Sequence, residues 1–424
     1  MTLPALGPDA AFWLTLGLFT LTYLGLAVGK VPRLRMDRAG IALVGATAMM
    51  ACGLVPFADA VSPACMNYEA IVLLFGMMVV VGMLRLSGFF ERLTGWCLAR
   101  IRSPHALLAL TVALSGLLSA FLVNDIVCIA LTPLILQLAR RLGFDPVPHL
   151  LGLATAANLG SAGTITGNPQ NMIIGVESKI SYMRFAAMLL PLSLLTLVMC
   201  YLLIAWLYRH RLRVPAGGAT PPALSGPTSA AHVALQRKAV AVTLATVALF
   251  FALPSDHLPL IALAAAAALI VGRVNPAKIY RQVDWTILVL FAGLFVVVYA
   301  FRVHVVAHWD VSRWTWLLNR PVDLLSLVSA ALSNLVSNVP AVLLFKPLVE
   351  AMPAGSQETA WLALAMSSTF AGNLTVLGSV ANLIVLEYAR REGVEVSFIE
   401  YCKIGVPLTI LTMIVGVAWL LVLR

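Results

Sequence analysis

The chain has 424 residues, of which 61% are hydrophobic and only 11% are Asp, Glu, Lys or Arg, and its mean hydropathy is +0.96. A soluble domain carries about 25% charged residues, so this composition excludes an ordinary soluble protein and leaves most of the surface to be solvated by lipid. The net charge of +10 reads as basic loops on one side of a membrane, and no nucleic-acid partner is expected.

Residues 1–10 carry no Lys or Arg, so no cleavable signal peptide is expected. Apolar runs at 11–29, 70–84, 185–207 and 404–423 are long enough to span or nearly span a bilayer. Between them, residues 104–139 are apolar but too long for one span, with Asn124-Asp125 in the middle. The polar stretch Gly163-Thr-Ile-Thr166-Gly167-Asn168-Pro169-Gln170-Asn171 comes next. A hydrophilic segment rich in Pro, Gly, Ser and Ala, residues 209–238, separates an N-terminal half (1–208) from a C-terminal half (239–424) and reads as a flexible linker.

The second half repeats the first. Ser337-Asn338-Val339 matches Val123-Asn124-Asp125, and in both a Pro follows the Asn by nine residues, at Pro133 and Pro347. Gly372-Asn373-Leu-Thr375-Val-Leu-Gly378-Ser379-Val-Ala-Asn382 matches the first polar stretch through a shared Gly-x-x-x-Asn. Leu74-Phe75-Gly76 is paired with Leu290-Phe291-Ala292 in the third spans. Polar, Gly-rich interruptions at corresponding places in two hydrophobic halves are the sequence pointer to a transporter's binding site. If each Asn segment enters and leaves on one side, each half crosses five times and the second half is inverted relative to the first. All Lys and Arg then lie in cytoplasmic loops except Lys179, Arg184, Arg302, Arg313, Arg320, Lys346 and Arg424, as positive charge requires. The expected fold is therefore all-α and integral to the membrane. It has two inverted repeats of five spans plus one re-entrant hairpin each, with both termini outside and the membrane lipid as a partner.

Non-helical backbone survives in a bilayer only where it lines a cavity or is buried in protein, so 158–171 and 371–382 are expected to be unwound parts of broken helices. Pro133, Pro169 and Pro340 are expected to interrupt helical bonding. The hairpin tips should present free helix N-termini to the same centre. The expected binding residues are Asn124, Asp125, Ser337 and Asn338 at the tips. Thr164, Thr166, Gly167, Asn168 and Asn171 join them from the first break, and Asn373, Thr375, Gly378, Ser379 and Asn382 from the second. The Asn, Ser and Thr side chains among them supply both donors and acceptors without permanent charge; helix-to-helix glue is their bland alternative. Asp125 is the candidate for proton coupling, because a carboxyl taken out of water favours its neutral form. A structural partnership with polar groups of the opposite helix is the competing role. Lys346, inside the second hairpin, is expected to snorkel to the outer surface.

No metal site and no cofactor are expected. Cys52, Cys65, Cys97, Cys128, Cys200 and Cys402 show no CxxC or CxxH spacing and read as packing thiols. HExxH and Walker A motifs are absent, and the His residues are scattered, so an enzyme is not expected. A passive channel is the remaining alternative, but matched broken helices favour alternating access.

The Asn-Asp hairpin, the Gly-Asn-Pro-x-Asn break and the Gly-Asn-Leu-Thr-x-x-Gly-Ser-x-Ala-Asn-Leu break resemble the ion transporter superfamily over nearly the whole chain. That group includes arsenite and antimonite permeases, sodium/proton antiporters and sodium-coupled dicarboxylate or citrate carriers. Dicarboxylate carriers have Ser-Asn-Thr at each tip, a signature degraded here in both halves, whereas Asn124-Asp125 is more like the arsenite branch. Asn382, in contrast, is like the Asn of anion carriers. An ionised Asp125 would repel a dianion, whereas arsenous acid is a neutral triol. The resemblance therefore implies export of arsenite or antimonite against protons from a bacterial inner membrane. Sodium- or proton-coupled transport of small anions, or sodium/proton exchange, is the alternative. A homodimer follows only by analogy with the superfamily, and any ATP dependence would need a separate soluble ATPase subunit.

Overall fold

A computed structural model describes residues 7–28, 36–98, 101, 103–213, 230–272, 274–308 and 320–423. The core of the expected linker (214–229) lies outside the described residues, as do Lys30, Arg33, Arg35, Arg100, Arg102, Arg273, Arg313 and Arg424 and the side chain of Cys97. Among the described residues the protein is helical, with no strand.

The first half contains α1 (Pro8–Val28), α2 (Arg38–Ala51), α3 (Tyr68–Leu86) and α4 (Phe89–Leu98). The hairpin arms α5 (Pro104–Phe121) and α6 (Asn124–Arg141), the broken pair α7 (Pro146–Ser161) and α8 (Pro169–Ser178), and α9 (Tyr182–Leu207) complete it. The second half contains α10 (Ala230–Ala252), α11 (Leu258–Ile270) and α12 (Trp285–His304), then the hairpin arms α13 (Asp323–Val336) and α14 (Asn338–Glu350). The broken pair α15 (Ala354–Ala371) and α16 (Val380–Arg391) and finally α17 (Phe398–Val422) close the chain. Single helical turns at Phe57–Ala60 and Pro276–Tyr280 precede α3 and α12.

Local chemistry accounts for the starts. Ser103, Asp145 and Asn168 each cap a helix whose first residue is proline, accepting from the backbone N–H of Ala106, Val147 and Asn171. A Pro at that position costs nothing, because its missing N–H would have been an orphan. For the same reason the expectation for Pro169 and Pro340 is corrected: both lie in the first turn of a helix, where they fix its start rather than break it. Pro133 and Pro347 do lie inside helices.

Of the ten expected spans, six (α1, α3, α9, α10, α12 and α17) are long and apolar enough to cross a bilayer. The others are the two broken pairs and the short helices α2 and α11. At 14 residues, α2 rises about 21 Å, less than the ~30 Å hydrocarbon core. These short helices pack against long ones from the other half, α11 on α3 and α2 on α12. The crossings are tight in the same way. A Cβ on Gly76 would lie 2.6 Å from the Ala262 carbonyl carbon, and one on Gly293 would lie 2.8 Å from that of Ala42. Each half thus carries a glycine, Gly76 or Gly293, where a helix of the other half crosses it.

The expected breaks were also too long at both ends. The first helix continues to Ser161, so Asn158 is helical, and only 162–168 is irregular; the second break is 372–379. Lys346 does not snorkel freely. It forms a 2.6 Å ion pair with Glu177, both half-buried, and Glu177 also accepts from Asn67 Nδ2 at 2.7 Å. A cavity of about 450 Å³ opens beside this pair at the end of the molecule that also carries Glu69 and Lys179. Lys179 there bridges to Asp256 at 2.9 Å. Their hydrogen bond holds the Asp256 carboxyl below the usual carboxylate range and raises the Lys179 ammonium above the usual lysine range. The opposite end carries Arg140, Arg211, Arg390, Arg391 and Lys403, with Arg140 paired to Glu392 at 3.3 Å and Arg211 to Glu400 at 3.4 Å.

Candidate transport site

Both breaks are built by one device. An Asn on the far side of the break, Asn171 or Asn382, donates both amide hydrogens back to carbonyls of the irregular backbone. Asn171 reaches Ser161 (3.1 Å) and Thr164 (3.0 Å), and Asn382 reaches Gly372 (2.8 Å) and Thr375 (3.2 Å). Each partner in the second set lies 211 positions beyond its counterpart in the first. Carbonyls orphaned where a helix ends inside a membrane must find donors, and a single side-chain amide supplies two. Gly167 and Gly378 are needed because the chain folds back on itself. A Cβ would lie 2.2 Å from the Ser161 carbonyl oxygen in one break and 2.9 Å from the Gly372 oxygen in the other.

The hairpins meet these breaks at their tips. α6 begins at Asn124 and α14 at Asn338, and neither start is capped by a side chain, leaving first-turn N–H groups available to a bound solute. Ser337, at the second tip, has φ 79° and ψ 159°, a conformation almost confined to glycine. Asn338 lies 2.5 Å from Ser333 Oγ, 3.3 Å from the Gly378 carbonyl and 3.2 Å from the Ser368 carbonyl. Those carbonyls accept, so its amide nitrogen faces them. At the first tip Asn124 donates to Asn158 Oδ1 at 3.2 Å, and its own Oδ1 is buried without a partner.

Of the expected residues, the structure brings Asn124, Asn373, Ser379 and Asn382 into one hydrogen-bonded network centred on Asn158. Thr164 and Thr166 instead fasten the first break to the hairpin arm. Thr164 donates to the Ala120 carbonyl, and Thr166 lies 2.8 Å from the Tyr182 hydroxyl. Asn168 donates to Thr369 Oγ1 at 3.2 Å and to Ser161 Oγ at 3.0 Å, and Gln170 also reaches Thr369 at 3.3 Å. Thr375 contributes a carbonyl and a half-buried side chain. Asn158, Gln170 and Thr369 were missed. Asn158 and Thr369 stand 211 positions apart in the two halves, so extending the repeat backward from the Gly-x-x-x-Asn motif would have found them.

Asp125 is buried at the first tip and, among the described residues, no protein group donates to its carboxyl or pairs with it. It is also the only buried Asp, Glu, Lys or Arg among them. Cys128 is fully buried and belongs to the hydrophobic core, which fits a packing thiol.

Two uncapped hairpin tips and two broken helices closing on a polar centre, within an apolar helical protein, define a secondary membrane transporter. The chain belongs to the CitMHS citrate transporter family, whose model matches residues 23–371. It is 32% identical to the silicon efflux transporter LSI3 of Oryza sativa subsp. japonica, over 92% of this chain and 93% of that one. An uncharacterized transporter of Mycobacterium tuberculosis is 31% identical over 91% of this chain and 94% of its own length. A Dictyostelium discoideum transporter named arsB is 25% identical over 91% and 87% of the two chains. The fold is similar to the YdaH transporter of Alcanivorax borkumensis, with a TM-score of 0.57 and 17% identity over 98% of this chain and 97% of that one.

Proposed function

We propose that the protein exports a small, uncharged hydroxide, arsenite or antimonite, in exchange for protons, with Asp125 carrying the proton. The observation that carries this reading is the charge of the centre: a single buried carboxyl, Asp125, directly follows Asn124 of the amide network, with no buried cation among the described residues. A citrate or dicarboxylate ion would be drawn into low dielectric against a negative group, with no positive partner. A neutral triol donates hydroxyl hydrogens instead, and the unpartnered oxygens of Asn124 and Asn171 are acceptors. The resemblance to a silicon efflux transporter points the same way, since silicic acid is also a neutral hydroxide at neutral pH. In this reading the two halves are inverted repeats, and the end bearing Arg140, Arg211 and Arg390 faces the cytoplasm of a bacterial inner membrane.

A second reading, coupled transport of a small anion, is favoured by the family to which the chain belongs. The experiment that separates them is uptake into everted membrane vesicles energised by a proton gradient, comparing arsenite with citrate. Arsenite accumulation that falls at least a hundredfold in Asp125→Asn, with the variant inserted at normal levels, supports the exporter. Citrate movement without an arsenite signal overturns it.

A further inference from the structure

The side chain of Asn158, buried near the end of α7, makes four hydrogen bonds. Its nitrogen donates to Asn373 Oδ1 at 2.8 Å and Asn382 Oδ1 at 3.1 Å, and its oxygen accepts from Ser379 Oγ at 2.9 Å and Asn124 Nδ2 at 3.2 Å. The orientation of this amide is dictated from elsewhere. Asn373 must give its nitrogen to the Thr155 carbonyl (3.1 Å), and Asn382 must give its own to the Gly372 and Thr375 carbonyls. Both therefore turn their oxygens toward Asn158, which can answer only with its nitrogen. Its oxygen is then left for the first hairpin tip, where Asn124 has to donate. The Asn124 oxygen consequently stays buried and free next to Asp125 in sequence. Orientation is thus passed along a chain of amides, from the backbone of the second break to the tip of the first hairpin.

We infer that Asn158 is a positioning residue for transport, which holds the Asn124 amide with its oxygen presented to the solute and ties that tip to the second break. The inference rests on the proposed reading in placing Asn124 at the solute. The counterpart of Asn158, Thr369, makes the reciprocal link by accepting from Asn168 and Gln170 of the first break. A single hydroxyl cannot saturate four partners as an amide does, so the two links are unequal.

The test is a double-mutant cycle on arsenite uptake by energised everted vesicles, with citrate as the comparison solute. Asn158→Ala should raise the arsenite KM about tenfold, the effect of one lost hydrogen bond to a solute, with Vmax within about twofold. Adding it to Asn124→Ala should raise KM no further. Asn158→Asp sets oxygen against the oxygens of Asn373 and Asn382 and should be at least as harmful. A merely structural role would lower Vmax through lost protein and leave KM in place, and that result, like additive KM effects, overturns the inference. If Asn158→Ala does not insert, Asn158→Thr takes its place in the cycle. Wild type that moves citrate but not arsenite overturns the substrate reading, and the cycle is then run on citrate. If neither solute moves, the cycle is read on the unfolding temperature of purified protein. Non-additive shifts for the Asn124 and Asn158 variants then support the link, and additive shifts overturn it.

Discussion

The two broken helices share a backbone design and differ in what surrounds them. In the first break Thr164, Thr166, Gly167, Asn168 and Asn171 are all fully buried, closed in by Tyr182, the arm of the first hairpin and Thr369. In the second, Thr375 and Val376 are only half-buried and Leu377 is 57% exposed. That break forms part of the wall of a cavity of about 710 Å³, which runs to the end of the molecule carrying Arg211 and Arg390. The cavity at the opposite end is lined by α8, α12 and α14 but by neither break. Pseudo-symmetry in the chain thus coexists with asymmetry of access.

The largest expected difference lies between Gly167→Ala and Gly378→Ala. The first drives a methyl into the Ser161 backbone, 2.2 Å from its oxygen and 2.7 Å from its Cα. The second makes a shallower overlap, meeting the Asn334 side-chain oxygen at 2.8 Å and the Gly372 oxygen at 2.9 Å. Overpacking costs about 1–3 kcal/mol and more where nothing can relax. Gly167→Ala should therefore abolish insertion or lower the unfolding temperature sharply, with Gly378→Ala near the bottom of that range. Equal losses would break the comparison.

Labelling sharpens it next. A cysteine at Leu377 should react with a membrane-impermeant maleimide added from the side of Arg211 and Arg390, while one at Ile165 should not. Comparable labelling of both, read as gel shift or mass, would mean the first break is not sealed.

The smallest expected effect belongs to Ser337. Its backbone conformation costs of order 1–3 kcal/mol for a residue with a Cβ, and glycine gives back about 0.4–1 kcal/mol through unfolded-state entropy. Ser337→Gly should therefore stabilise the purified protein by about 1 kcal/mol, read as a modest rise in unfolding temperature. The first tip, where Leu122 and Val123 have ordinary extended backbone, should lose stability from glycine at either position.

Much of this was legible without coordinates. The hairpin boundaries, expected over 104–139, fall at Pro104 and Arg141, because Ser103-Pro104 and the paired arginines are local signals. Both tips and both breaks lie where Asn, Gly and Pro interrupt apolar runs. Less legible was the division of labour inside the breaks. Thr164 and Thr166 carry the composition of a binding loop, yet their hydroxyls are used to fasten it to Ala120 and Tyr182. Lys346 looked like a surface-seeking cation, and its partner Glu177 lies far away in the chain, on the other half.

The sequence by itself determined the membrane class, the two matched halves and the places where helices must end. Those follow from residue types acting over a few positions: apolarity, missing N–H groups, caps and glycine freedom. Only the tertiary structure decided that Asn158 is the hub, that Gly76 and Gly293 each lie under a crossing helix, and that one break is sealed while the other is open. Asn158 and Asn373 are 215 residues apart, and nothing in the local chemistry of either says which acceptor its N–H groups will meet. In lipid, where water cannot serve as the default partner, that pairing is settled by which helices cross.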